Sequence, residues 1–240
     1  MLSAIAIIPS APVLVPELAA AAAAELSDLR AAVFAAAAAM PQRWIAVGVG
    51  PAEEVIGPAA AGTFAGFGVD IGVLFAPGPP QPVTELPLCA LIAGWVRGQV
   101  NPGARAEARV YTDCQDVDTA LAAGRALRAE VDRTADPVGI LIVADGANTL
   151  TPSAPGGYDP GSADVQVALD DALAGGDAAA LTRLSGSVVG RVAYQVLAGL
   201  TEPAPRSAKE LYRGAPYGVG YFAGVWLPAG WSGATGESIP

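Results

Sequence analysis

The chain has 240 residues, 52% hydrophobic and 15% charged, which is enough apolar material for a full-sized core in one α/β domain. Its 13 basic and 23 acidic side chains leave a net charge of −10, a balance that repels phosphate backbones and anionic bilayers and argues against nucleic acid or membrane as a partner. There is no histidine and Lys209 is the only lysine, so Ser–His–Asp triads, Cys–His dyads, His-ligated zinc or iron and a Walker A loop are all excluded.

Residues 2–8, LSAIAII, form an apolar run ended by Pro9 and predict a buried strand. The stretch 17–39 is alanine-rich, with Leu18, Leu26, Leu29, Val33 and Phe34 at near-helical spacing and Pro41 beyond it, which predicts one long helix. WIAVGVG, 44–50, predicts a second buried strand entering a Gly-Pro turn, and VDIGVLF, 69–75, a further strand. A helix over 84–98 would carry Pro87 in its first turn. RVY at 109–111 is a short strand, and 117–133 a helix that Asp113, Asp116 and Asp118 can cap. VGILIVAD, 138–145, is the clearest central strand, followed by helical stretches over 161–175 and 177–200 and a last strand over 217–226. Apolar strands alternating with helices predict an α/β fold, with a mostly parallel or mixed central sheet and helices on both faces. The domain is expected to span 1–230, with 231–240 a polar C-terminal tail.

Cys89 and Cys114 are too few and too far apart for a zinc site or a redox pair, and a reducing cytoplasm fits such spare thiol usage. The opening MLSAIAII has no basic flank and is interrupted by Pro9, Pro12 and Pro16, unlike a secretory signal. The alanine run is broken by Glu25, Asp28 and Arg30, so no membrane span is expected and the protein reads as soluble and cytoplasmic.

Several patterns could carry chemistry, and most have plainer explanations. Gly48 and Gly50 follow a strand, but Glu53 and Glu54 would repel a pyrophosphate. Asp113, Asp116 and Asp118 offer oxygen ligands to a hard cation, yet helix capping accounts for them. Asp170 and Asp171 are adjacent on a helix and do not face one another. Cys114 has no imidazole partner and reads as an inert thiol. The loop from Asp145 to Pro160 is different: it leaves a central strand carrying Asn148, Tyr158, carboxylates and a Gly-Gly pair. Ligands of open α/β sheets bind at strand carboxyl ends, so this loop is either a pocket wall or a structural crossover.

Three segments add a resemblance. LTPSAPGGYDP, 150–160, is similar to a signature of the class III extradiol ring-cleaving dioxygenase superfamily, which holds the protocatechuate dioxygenase catalytic subunits and the Memo proteins. IIPSAPVLVPEL, 7–18, and GAPYGVGYFAGVW, 214–226, resemble the start and the closing strand of the same group. The resemblance implies that fold, and in active members a ferrous ion held by two histidines and a carboxylate, with a further histidine as acid/base. Here Ser10 stands at the first ligand position and Asn148 at the acid/base position. The second ligand would fall near Gly50, and Glu210 is the nearest carboxylate before the last strand. A hydroxyl and an amide are weak ligands for Fe(II), and an amide cannot relay a proton near neutral pH.

The expectation is therefore an extradiol dioxygenase-like fold without ring cleavage and without a His-ligated cofactor. Ser10, Gly50, Asn148, Tyr158 and Glu210 would line a degenerate cleft that takes a small molecule or a protein partner. The alternatives are an enzyme of another class, using Asp, Glu, Asn and Tyr oxygens with a hard divalent metal, and a structural subunit, which a homo-oligomer would suit.

Overall fold

In the computed structural model, which describes residues 1–79 and 81–228, the strands are β1 (Leu2–Ile8), β2 (Arg43–Gly50), β3 (Glu54–Ile56), β4 (Ala61–Thr63), β5 (Gly72–Leu74), β6 (Arg105–Thr112), β7 (Val138–Val143), β8 (Ser207–Gly214) and β9 (Tyr221–Leu227). The helices are α1 (Pro16–Ala19), α2 (Ser27–Ala38), α3 (Leu88–Val100), α4 (Val117–Asp132), α5 (Ser162–Gly175), α6 (Ala178–Leu181) and α7 (Arg191–Thr201). Seven strands form one mixed sheet in the order β3-β6-β2-β7-β1-β9-β8. The four inner strands β6, β2, β7 and β1 are parallel, while β3, β9 and β8 each run antiparallel to their neighbours. The short hairpin β4-β5 stands apart from this sheet.

Alternate residues of each inner strand feed two separate cores. Ala6, Ile8, Ala46, Leu141 and Val143 pack with α2 and α3, whereas Ile5, Ile7, Ile45, Val47, Ile140 and Ile142 pack with α4, α5 and α7. Both faces are covered, which is why β1 and β7 are buried at every position rather than at every second one, and apolar at all but Ser3. Under the sheet α4 and α7 cross in close contact. A Cβ on Gly124 would lie 2.2 Å from the Val196 carbonyl oxygen, and one on Gly199 would lie 2.2 Å from that of Leu121.

The strands expected at 2–8, 44–50 and 138–145 correspond to β1, β2 and β7, and Asp116 caps α4 by accepting from the Thr119 N–H at 2.9 Å. Other elements differ. The stretch 17–39 is not one helix: α1 ends at Ala19, a short 3-10 turn covers Ala20–Ala23, and α2 starts at Ser27. Alanine permits a helix but gives it nothing to bury, and helices held only by propensity are marginal. Leu14 and Val15 before the break and Leu26 and Leu29 after it are all buried in one core, which the turned chain satisfies. The stretch 177–200 likewise breaks, because Gly190 must pass Ala144 closely; a Cβ there would meet the Ala144 Cβ at 2.5 Å. Pro87 is the N-cap of α3 rather than a first-turn residue. The strand expected over 69–75 shortens to β5 and pairs in the hairpin, and the last strand begins at Tyr221. The tail at 231–240 lies outside the described residues. Among the described residues no helix is long and apolar enough to cross a membrane.

Ala20 has φ 48° and ψ −119°, a conformation that favours glycine. Relief of that strain outweighs the extra freedom glycine gives the unfolded chain, so Ala20→Gly is expected to raise stability by about 0.5–1 kcal/mol. Urea unfolding checks this, and a destabilised variant would refute it.

A candidate ligand cleft at the carboxyl ends of the strands

The parallel strands finish together at Ile8, Gly50, Thr112 and Val143, and their continuations leave alternately toward the two faces. After β1 and β2 the chain goes to α2 and α3, whereas after β6 and β7 it goes to α4 and α5. Neighbouring strands whose connections diverge leave a crevice between them, the usual place for a ligand in an open α/β sheet.

The segment after β7 is held on both sides. Gly146 N–H donates to the Gly220 carbonyl at 2.8 Å, and Gly220 N–H donates back to the Ala147 carbonyl at 2.8 Å. On the other flank Gly190 N–H donates to the Asp145 carbonyl and Val189 N–H to that of Gly146, at 2.8 and 3.0 Å. Gln166 from α5 fits between Gly146 and Gly220; its Oε1 accepts from Ala147 N–H at 2.8 Å and its Nε2 donates to Asp170 at 2.8 Å. Burial pushes the Asp170 carboxyl up to about 6, against the lowering effects of the Gln166 amide and nearby Arg213. These bonds fix where the following residues stand.

Beyond this frame lies a cavity of about 390 Å³ lined by Val49, Asp113, Asn148, Thr149, residues 186–189 and Arg191. Asn148 N–H and C=O belong to the loop, and its carbonyl accepts from Gly156 N–H at 2.9 Å. Its side-chain amide lies against Gly156, where an added Cβ would come within 2.4 Å of Oδ1. Among the described residues that amide has no hydrogen-bond partner. Arg191, the first residue of α7, is anchored through donation to the Asp113 and Gln115 carbonyls at 2.7 and 3.1 Å and to Gln195 Oε1 at 3.0 Å. A planar cation, an unpartnered amide and two hydroxyls, Thr149 and Ser187, thus line one polar cavity.

The other expected residues are placed differently. Ser10 follows β1 and Gly50 ends β2, on either side of β7, and Gly50 faces the side of the α2–α3 core. Ser10 is half-buried and its N–H donates to Asp145 Oδ1 at 2.8 Å. A Cβ on Gly50 would meet Val110 and Pro87 rather than the cavity. Tyr158 is 59% exposed on the loop and is not among the residues lining the cavity. Glu210 sits on β8, with β9 between it and β1, and its Oε2 accepts from Arg213 Nε at 2.7 Å; Arg213 also donates to Asp171 at 2.8 Å.

The ferrous ion implied by the resemblance therefore does not fit these residues. Ser10 offers a hydroxyl, Gly50 offers no side chain, Asn148 offers an amide, and Glu210 is committed to Arg213 two strands away. No group of three or more Cys, Asp or Glu placed to hold a metal ion occurs among the described residues.

Two residues missed in the sequence belong to this end of the sheet. Arg191 lies in a stretch that reads as continuous helix, although Gly186, Ser187 and Gly190 mark the break before it. Asp145 terminates the most apolar strand, which was its signal. Its carboxyl is half-buried, and burial pushes its pKa up to about 7 despite the Ser10 N–H that favours the charged form. Below it the fully buried Tyr194 donates to the Ala144 carbonyl at 2.8 Å, and burial raises its hydroxyl pKa strongly.

No protein-family model matches this sequence, and no curated protein matches it either. The fold is similar to that in the crystal structure of the uncharacterized protein JW3007 from Escherichia coli K12, with a TM-score of 0.56 and 12% sequence identity over 94% of this chain and 99% of that one. At this identity the likeness is one of fold: an α/β architecture with a seven-stranded mixed sheet flanked by helices.

Proposed function

We propose that the chain is a divergent, non-catalytic member of the class III extradiol dioxygenase fold group that binds a small polar molecule in the Asn148 cavity. The observation that carries this reading is the Asn148 amide, unpartnered among the described residues and facing a 390 Å³ polar cavity beside the anchored Arg191. The placement of the three resembling segments supports it. Ser10 N–H meets Asp145, and Leu150 N–H donates to the Gly218 carbonyl at 3.1 Å, so residues 7–18, 150–160 and 214–226 come together at one end of the sheet. With no imidazole in the chain, protein reconstituted anaerobically with Fe(II) and then assayed in air is expected to give no ring-opened product from protocatechuate above a metal-only blank.

The binding test is a thermal-melt screen of wild type and Asn148→Ala against a panel of small polar metabolites. Loss of an amide that contacts a ligand in a desolvated pocket costs about 1–3 kcal/mol, or roughly five- to more than a hundredfold in affinity. The melt without ligand should change little, because the amide makes no bond to the loop. A variant that melts several degrees lower, with no compound stabilising the wild type, would make Asn148 a loop brace and end this reading.

A further inference from the structure

At the opposite end of the sheet lies a larger cavity, of about 750 Å³, between the amino ends of β2, β6 and β7. Its walls include Pro41, Arg43, Pro58, Arg105, Asp136 and Pro137. A smaller recess of about 200 Å³ shares Pro58 and Arg105 with it. A volume of this size lies in the range that holds small organic molecules, ~300–1,000 Å³.

The arginines set its character. Arg43 and Arg105 are register partners on adjacent parallel strands, so their side chains leave the same face of the sheet from backbones ~4.8 Å apart. Like charges placed side by side on neighbouring strands repel. Several other arginines of this acidic chain are engaged: Arg109, Arg125, Arg128 and Arg213 form ion pairs, and Arg97 donates to three carbonyls. Among the described residues neither the Arg43 nor the Arg105 guanidinium has an ion pair or a hydrogen bond, and both residues are exposed. The acids nearby do not neutralise them. Glu107 is taken by Arg109 at 2.9 Å, and Asp136 supplies one carboxylate against two guanidiniums.

We infer that this cavity is a binding site for a small organic anion, with a carboxylate, phosphate or sulfonate head held by the Arg43–Arg105 pair and an apolar body against the prolines. Paired guanidinium forks suit an oxyanion because each presents parallel N–H donors in a fixed plane. The proline rim gives stiff apolar walls that cost little to order. The site is separate from the Asn148 cavity and does not depend on the function proposed for it.

The probe is anilinonaphthalene sulfonate, with the uncharged phenylnaphthylamine as its comparison, titrated by fluorescence at low salt into the 240-residue protein. Wild type is expected to bind the sulfonate saturably at one site, more weakly as salt rises. R43Q and R105Q should each weaken that binding at least about tenfold, as expected for lost charge-assisted hydrogen bonds, and leave the uncharged probe unaffected. Asn148→Ala should bind the sulfonate as wild type does. Circular dichroism melts of both arginine variants verify folding, and removing one of two repelling charges should leave them at least as stable as wild type. Sulfonate binding that is unchanged in folded R43Q and R105Q, or absent from wild type, would overturn the inference.

Discussion

Replacing Gly199 with valine is expected to lower the unfolding free energy by about 3 kcal/mol or more, at the upper end of what overpacking costs. The reason is that the added Cβ would meet main chain and not a side chain able to move aside. It would fall 2.2 Å from the Leu121 carbonyl oxygen and 2.9 Å from the Leu121 carbonyl carbon. Gly124 faces the same crossing from α4, with the Val196 oxygen at 2.2 Å and the Leu200 nitrogen at 2.7 Å. Either substitution must push α4 and α7 apart and open the core that lies between them and the sheet. For a chain of this size the melting temperature should fall by roughly 6–12 °C. Gly98→Ala is the matched control: it lies exposed on α3 with nothing within 4 Å of its added methyl, and should raise stability by about 0.5–1 kcal/mol. Equal melts for Gly199→Val and wild type would mean that the two helices do not touch there.

Asp145→Asn is expected to change how stability depends on pH. The folded Asp145 carboxyl keeps its proton up to about pH 7, whereas in the unfolded chain it ionises near the ordinary carboxylate value. Across that window the folded state binds more protons, so stability falls as pH rises. Integrated over the shift, the loss is on the order of 4 kcal/mol by pH 8. Asparagine can still accept from the Ser10 N–H but carries no charge to desolvate. Variant and wild type should therefore unfold at similar urea concentrations near pH 4, with the variant increasingly the more stable toward pH 8. Asp170, pushed up to about 6, contributes a smaller effect of the same sign in both proteins. Parallel pH profiles for the two proteins would show that Asp145 is an ordinary, solvated carboxylate.

The parts of the fold that could be read directly were those whose side chains state a destination. β1, β2 and β7 are apolar at nearly every position, which only a sheet covered on both faces explains. α4 was legible because Asp116 marks its start. The break at Ala20 was not, since alanine at every position looks the same in a helix, a turn or a 3-10 segment. β8, SAKELYRG, is an edge strand that mixes charged and apolar residues without a strict alternation, and so gives no clear strand signal; β3, β4 and β5 are each three residues long and leave almost no periodic signal. At the site, Asn148 was legible from its place on the loop after the central strand. Arg191 was harder to find: Gly186, Ser187 and Gly190 hint at a break before it, but the close passage of Gly190 past Ala144, which fixes the start of its helix, is a tertiary contact.

The two ends of the strand order determine how copies of this chain can meet. One end is β3, only three residues long, which offers too little backbone for another strand to join. The other is β8, longer, but carrying a register shift between Glu210 and Tyr212 and bearing Lys209, Glu210 and Arg213. Irregular pairing and charged side chains on an outer strand discourage further strand addition. The seven-stranded sheet is therefore protected from growing edge to edge into fibrous aggregates, and this sheet's own edges are poor places for copies of the chain to join.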